Sequence, residues 1–389
     1  MAAPWSVLFS AIPWSDVIAH APTVAKGAKK LWQKVGKRPA AEVDKEIYAH
    51  GASVVEVKRK AGGNDMEMVR GSKYNRRVHS ATPMDMGGPA KGNAKLVNKL
   101  SPTGTEAFGM NNNCACGYTP WGTYLTCEEN WAGYFATRDA DLPRELKRYG
   151  LRSSSRFGWD TLPGDEFQRF DATRKAADAS GDYRNEPNHF GWIVEIDPFN
   201  PDSTPVKHSA LGRFAHEGLI FAPVQAGRPL VCYSGDDSQN EYIYKYVSRG
   251  KYLPLLRQPG RLLDEGTLYV AKFGEEGKGR WVALEHGKNG LTAENGFADQ
   301  AQVLIRTRQA ADQVGATKMD RPEWIAVHPK SGEVYVSLTN NVKRGTSEVP
   351  GLNAANPRAD NVFGHIVRWR EAPAKGRHDA GSLDFEWDI

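Results

Sequence analysis

Along most of the chain, apolar and polar residues alternate over short runs that are bounded by glycine, proline, asparagine or aspartate. Successive side chains of a strand point to opposite faces, so this period of two reads as a series of half-buried β-strands. Segment 51–57 is the first. Segments 121–127, 191–196, 230–233, 242–247, 266–270, 333–338 and 364–369 follow. Two of them are near-copies: Gly191-Trp192-Ile193-Val194 recurs as Gly364-His365-Ile366-Val367, as expected for equivalent strands in different blades of a radial repeat. A sandwich would show the same strand density, but the repeat favours an all-β chain folded as a β-propeller with helical and loop insertions. Residues 43–48 read as a short helical turn. Segment 138–188, rich in Arg, Asp and Ser, reads as a long decorated loop with helical pieces near 142–149 and 167–177.

Composition supports strands over helices. The 39 Gly and 23 Pro supply turns, and 11 Trp, 14 Tyr and 14 Phe suit pleated surfaces. The expected division is a disordered or helical leader over residues 1–40 and a partial propeller domain over 41–389. The net charge of +5 is carried by scattered residues, with no aromatic-interleaved basic stripe and no zinc-finger spacing. Nucleic acid is therefore not an expected partner. Segment 25–38 sets Lys26, Lys29, Lys30, Lys34, Lys37 and Arg38 around Leu31, Trp32 and Val35. It reads as a solvated helix rather than a grip on an acidic surface. No run approaches the ~20 apolar residues of a membrane span. Residues 1–21 lack a basic start and are interrupted by Asp16, so they read as no export signal. Cys114 and Cys116 are too close to pair readily, and Cys127 and Cys232 lie in strand-like runs, so no disulfide framework is expected.

Candidate chemistry concentrates between Asn111 and Asn130. There thiols, a glycine turn, a strand-like run and the Glu128-Glu129 pair fall within twenty residues. A thiolate is a soft ligand and carboxylates are hard ones, so their convergence suits a redox-capable or mixed-metal centre. Three further clusters share this character. Arg213, His216 and Glu217 fall within five residues, followed by Gly218. Arg321 and Glu323 project to one side of an extended segment. Asn340-Asn341 and Asn356-Pro357-Arg358 supply amides and another guanidinium after predicted strands. Together they offer groups to hold cations and arginine forks that match a phosphate.

These motifs resemble the PhoX-type alkaline phosphatases. The resemblance is carried by Asn113-Cys114, Thr119-Pro120-Trp121-Gly122-Thr123-Tyr124-Leu125-Thr126-Cys127-Glu128-Glu129-Asn130, Leu211-Gly212-Arg213-Phe214 with His216-Glu217-Gly218, Ser234-Gly235-Asp236-Asp237 and Arg321-Pro322-Glu323-Trp324. Leu263-Asp264-Glu265-Gly266-Thr267, Tyr74-Asn75-Arg76-Arg77 and Gly88-Pro89-Ala90 add to it, and it runs from about Asp44 to the C-terminus. It implies a propeller phosphatase that hydrolyses phosphate monoesters at an iron and calcium centre on the axis. Carried over by residue, Cys114 resembles the iron-binding thiolate, and Glu129, Glu217 and Glu323 the metal-bridging or calcium-binding carboxylates. Glu128 is weaker, because only one of two adjacent strand residues points inward. Arg321 resembles the catalytic, phosphate-gripping arginine, with Arg358 as a second substrate-binding guanidinium. The resemblance further implies a small phosphate-ester substrate, no membrane partner, a monomer, and twin-arginine export to the periplasm or beyond the cell.

The chain departs from the family in three places. Cys116 stands where glycine is usual, an early His-Glu-Tyr segment is missing, and residues 383–389 read as the start of a blade strand that stops. Two readings follow. One is a metal-dependent phosphomonoesterase, and the other is an inactive propeller fragment with residual metal or phosphate binding.

Overall fold

The computed structural model describes residues 40–254, 261–346, 351–373 and 379–389. The basic segment 25–38, the remainder of the expected leader through residue 39, and the opening residues 1–21 lie outside them. A helix covers Ala40–Ala49, somewhat longer than the turn expected at 43–48. The single strand expected over 51–57 is split. β1 (Ala52–Val54) pairs with β4 (Arg76–Val78), and β2 (Val57–Arg59) with β3 (Met66–Met68). The break falls at Glu56, whose N–H bonds the Asn75 side chain at 2.7 Å instead of a neighbouring strand.

The body of the fold is built from β5 (Pro83–Gly87), β6 (Glu106–Phe108), β7 (Asn113–Tyr118), β8 (Tyr124–Glu128), β9 (Ile193–Ile196), β10 (Val206–His208), β11 (His216–Phe221), β12 (Pro229–Asp236), β13 (Gln239–Glu241), β14 (Ile243–Lys251), β15 (Gly266–Phe273), β16 (Lys278–Ala283), β17 (Met319–Asp320), β18 (Pro322–Val327), β19 (Val334–Leu338), β20 (His365–Glu371) and β21 (Asp384–Asp388). Within it stand three antiparallel four-stranded meanders: β7-β8-β9-β10, β11-β12-β14-β15 and β18-β19-β20-β21. The first is extended by β5 and β6, with β5 parallel to β10. β16 bonds to both β15 and β21, which joins the outer edges of the second and third into one nine-stranded sheet. The first strand of each meander is innermost, with β7 beside β11 and β11 beside β18. Blades whose innermost strands share an axis make this an all-β propeller-type fold, as expected.

The near-copies at 191–194 and 364–367 occupy equivalent places. Each leads into the third strand of its meander, and Gly191 and Gly364 enter with φ of +90° and +72°, a region open to glycine. Apolar layers fill the spaces between blades. Leu125, Ile193, Leu219, Tyr244, Leu268 and Val270 pack between the first and second, and Tyr233, Ile243, Trp281, Ile325, Val336 and Trp369 between the second and third. A buried His208 clamps the first two blades between Glu195 and Asp264, each 2.8 Å away, and these carboxylates hold its imidazole protonated, up to about 9 despite burial.

The loop joining β8 to β9 carries its own aromatic core of Trp131, Tyr134, Phe135, Trp159, Phe167, Phe170 and Phe190. A helix forms at Arg144–Arg148, inside the expected 142–149. The one expected over 167–177 is instead the single turn Asp165–Gln168. Beyond it the Asp171 carboxylate accepts the Thr173 N–H at 3.1 Å and the Thr173 hydroxyl, local bonds that compete with helix continuation.

Around the axis β7 approaches β11, and β12 approaches β18, so closely that two positions have no room for a side chain. A Cβ on Gly117 would lie 2.2 Å from the Leu219 carbonyl oxygen, and one on Gly235 would lie 2.6 Å from that of Pro322. Gly117→Ala should therefore force β7 and β11 apart, costing about 1–3 kcal/mol, the usual range for overpacking. Gly63→Ala, whose Cβ meets nothing nearer than 3.9 Å, serves as the control. Equal denaturant midpoints for the two variants would refute the close approach.

Candidate metal centre

Each innermost strand carries a bulge at the same level. Asn113 pairs with Glu128 and Cys116 with Thr126, so Cys114 and Ala115 together face Cys127. Glu217 pairs with Gly235 and Ile220 with Tyr233, so Gly218 and Leu219 face Ser234. Pro322 pairs with Leu338 and Ile325 with Val336, so Glu323 and Trp324 face Ser337. A bulge kinks its strand and re-aims a side chain, and here three of them turn groups toward one axis. The residue opposite each is small. The Ser234 hydroxyl donates to the Gly218 carbonyl at 2.7 Å and the Ser337 hydroxyl to the Trp324 carbonyl at 3.2 Å.

At this level one ligand atom each from Cys114, Glu129 and Glu217 lies within 4.8 Å of the others. Glu129 follows β8 and is held by Asn112, which accepts the Glu129 N–H on its carbonyl (3.1 Å) and the Asn130 N–H on its side chain (3.0 Å). Asn112 does so at φ +50°, which asparagine tolerates. Asp237, just past β12, and Glu323 complete an acidic ring, and Arg321 is the guanidinium set into it. Its Nη2 lies 2.8 Å from Asp237 Oδ2 and 3.5 Å from Glu323 Oε1, and its Nη1 donates to Asn340 at 3.2 Å. Arg321 sits at φ +43°, strained for a long side chain. Its neighbour Asp320 fixes that turn through a buried network with Arg344 (2.6 Å), Asn341 (2.9 Å) and Asn361 (3.0 Å).

The carboxylates disturb one another. Burial, followed by the negative Asp237 and Glu217, pushes Glu129 from 4.5 up to about 8. Burial, with Glu323 and Asp237, raises Glu217 to about 7 although the Cys114 thiol and Arg321 oppose it. Glu323 is raised mainly by burial and Asp237. Burial and the two glutamates push the Cys114 thiol up to about 12. Asp237 Oδ1 is buried without a hydrogen-bond partner. A crowded set of one thiol and four carboxyls, balanced by a single guanidinium, fits a site for cations, with a soft donor at Cys114 and hard donors around it.

Of the residues the sequence nominates, Cys114, Glu129, Glu217, Glu323 and Arg321 come together. Arg358 does not join them in any described contact. It is exposed and donates to the Gly364 carbonyl at 3.1 Å. Arg213 and His216 stand apart from Glu217. Arg213 is fully buried, stacked 4.2 Å from the Trp131 ring centroid and donating to the Phe190, Pro187 and Ile305 carbonyls, while His216 bonds Ser234 and the Gly212 carbonyl. Glu128 points the other way, buried against Lys207 at 2.8 Å. Asp237 was not singled out in the sequence, although it stands in a motif that carries the resemblance. The signal was its place after a strand, as the second of two acids, like Glu129.

The sequence model of the family Alkaline phosphatase PhoX matches residues 24–389, so the chain belongs to that family. The match starts ahead of Asp44, where the motifs begin. Among solved structures the fold is similar to "Pseudomonas fluorescens PhoX in complex with vanadate, a transition state analogue", with 46% sequence identity and a TM-score of 0.80. That similarity covers 90% of this chain and 59% of the other. No match is found among curated proteins.

A carboxyl raised in the folded state costs nothing below its unfolded value, and the penalty grows as pH rises from there toward the folded value. In metal-free protein Glu129→Gln should therefore be more stable than the parent by a margin that widens from pH 5 to pH 8, following the shift from 4.5 to about 8. Thermal midpoints compared across that window check it, and a margin independent of pH would show that Glu129 is not crowded by the other acids.

Proposed function

We propose that this chain is a metal-dependent phosphatase acting on small phosphate monoesters. The observation that carries the reading is Arg321. Its fork is aimed into a ring of metal-type donors at the propeller axis, the arrangement a tetrahedral dianion needs. The similar Pseudomonas fluorescens protein in complex with vanadate, a transition state analogue, supports the same reading.

Cys114, Glu129, Glu217, Asp237 and Glu323 would hold the ions. The soft thiolate side favours iron and the all-oxygen side calcium. Metal ions held there supply Lewis-acid polarisation of a phosphoryl group. The chain's own part is to bind and orient. Arg321 is tethered by Asp237 and Asn340, so its guanidinium is pre-set to donate to phosphoryl oxygens and to stabilise the charge that develops on them. The Asp320 network behind it keeps that fork from collapsing outward. Asn112 fixes the backbone of Glu129, so this carboxylate keeps its place when it loses its proton to a cation. Consistent with the family, the protein is read as a monomer that works in the periplasm or outside the cell. Among the described residues no helix is long and apolar enough to cross a membrane.

Two outcomes test the reading. Arg321→Ala should lower hydrolysis of a chromogenic phosphate ester by about 10²–10³, as loss of one preorganised donor does, while shifting the thermal midpoint little. Unchanged hydrolysis would remove Arg321 from the site. Cys114→Ser should strip iron but leave calcium, because a hydroxyl is a much poorer ligand for iron. Elemental analysis that instead finds stoichiometric zinc dependent on Cys114, Cys116 and Cys127 would point to a structural thiolate site.

A further inference from the structure

The loop between β8 and β9 leaves the first blade at the end where Glu129 sits, so its insertion stands on the metal centre's side of the propeller. In it a hollow of about 450 Å³ is lined by Gly133, Tyr149, Arg152, Ser154 and Arg156 among others. One wall is the Trp131–Tyr134 turn, which begins two residues after Glu129. Three residues of chain span at most about 11 Å, so Ala132 in that wall is no farther than this from Glu129, along the backbone.

The insertion is rich in arginine, and most of its guanidinium groups are already engaged. Arg138, Arg148, Arg169, Arg174 and Arg184 each face a carboxylate, and Arg144 donates to the Asn295 carbonyl. Arg152 and Arg156 are the exceptions. Both are exposed, and among the described residues neither faces a carboxylate. Their backbones are nonetheless fixed. The Arg152 carbonyl accepts the Thr137 N–H at 2.9 Å, and the Arg156 N–H donates to the Gly133 carbonyl at 2.6 Å, which ties Arg156 to the turn beside Glu129. The Arg156 guanidinium lies 5.6 Å from the Phe157 ring centroid. Two unneutralised guanidinium groups on anchored backbone thus rim one hollow on the metal centre's side of the propeller.

We propose that Arg152 and Arg156 form a second anion subsite, which binds a phosphate group carried by the leaving group of the ester. This rests on the phosphatase reading of the neighbouring centre. A phosphate monoester carries about two negative charges near neutral pH. Two arginines match that charge and offer planar forks to its oxygens, a better complement than a single carboxylate would find. Binding energy gained there, away from the reacting phosphorus, orients the ester on the metal centre. The subsite would therefore select bisphosphorylated esters over simple ones.

The test uses the metal-loaded full chain and two probes that are not hydrolysed, propane-1,3-bisphosphonate and propylphosphonate, with binding followed calorimetrically. The bisphosphonate should bind roughly 10–100-fold tighter, as expected for charge-assisted hydrogen bonds. The exposed double variant Arg152→Ala/Arg156→Ala should lose most of that preference while binding propylphosphonate as the parent does. Arg280→Ala, an exposed position on β16, should change neither. Absence of a preference in the parent, or an equal loss in Arg280→Ala, would overturn the subsite. Hydrolysis of 4-nitrophenyl phosphate, measured alongside, separates the two claims. A parent that hydrolyses it without preferring the bisphosphonate sinks the subsite alone. One that prefers the bisphosphonate yet hydrolyses nothing sinks the phosphatase reading and keeps the anion subsite.

Discussion

The structure depends on how closely three innermost strands approach one axis. β7 comes so near β11, and β12 beside it so near β18, that Gly117 and Gly235 leave no space for even a methyl group. Bulges at one level then break ordinary alternation at Cys114, at Glu323 and directly after Glu217. Neither feature suffices alone. Regular strands at this spacing would send alternate side chains into the blades, and bulged strands farther apart would leave the acids too distant to share a cation. The raised values of Glu129 and Glu217 are the electrostatic consequence. The fold has brought like charges together and supplied one fixed guanidinium, Arg321, where several charges need balancing. Such a site is poised for ligands that carry positive charge in and for an anion that follows them.

The outer architecture was legible because outer strands obey the simple rule. Segments such as 242–247, 333–338 and 364–369 pack on one side or both, so their apolar period survives in the sequence. The near-copies at 191–194 and 364–367 announced the radial repeat because both third strands need the same left-handed glycine at their entry. The innermost strands were not legible as strands. Asn-Cys-Ala-Cys-Gly-Tyr and Pro-Glu-Trp-Ile-Ala-Val lack clean alternation because bulges interrupt it and because the inward positions are polar for the sake of the site. The same residues were legible as chemistry, which is why Cys114, Glu217 and Glu323 were found while their strands were not. Arg213 shows the opposite failure. Its position beside His216 and Glu217 suggested a shared site, but it lies before β11 and turns into the aromatic core of the insertion.

Asp237 was passed over for a reason that reaches beyond this one residue. The site is built from doublets in which the first member is an anchor and the second faces the axis. Glu128 is buried against Lys207 at 2.8 Å, and Glu129 turns inward. Asp236 is buried against Arg308 at 2.6 Å, and Asp237 turns inward. Asp320 is buried against Arg344 at 2.6 Å, and Arg321 turns inward. Buried ion pairs are weak contributors to net stability, because desolvation offsets much of their attraction, but breaking one leaves an uncompensated charge in the interior. Their effect here is therefore on direction more than on stability. Adjacent residues in extended chain point opposite ways, so locking the first carboxylate of an acid pair onto a buried cation leaves the second only the axis, while at Arg321 the left-handed turn does the aiming. The three cations come from β10, from the helix Thr307–Gln313 and from the loop after β19, which ties each active doublet to an element of another part of the chain. A doublet of acids read in sequence does not say which member is the anchor. That is decided by where a lysine or arginine, remote in the chain, comes to rest.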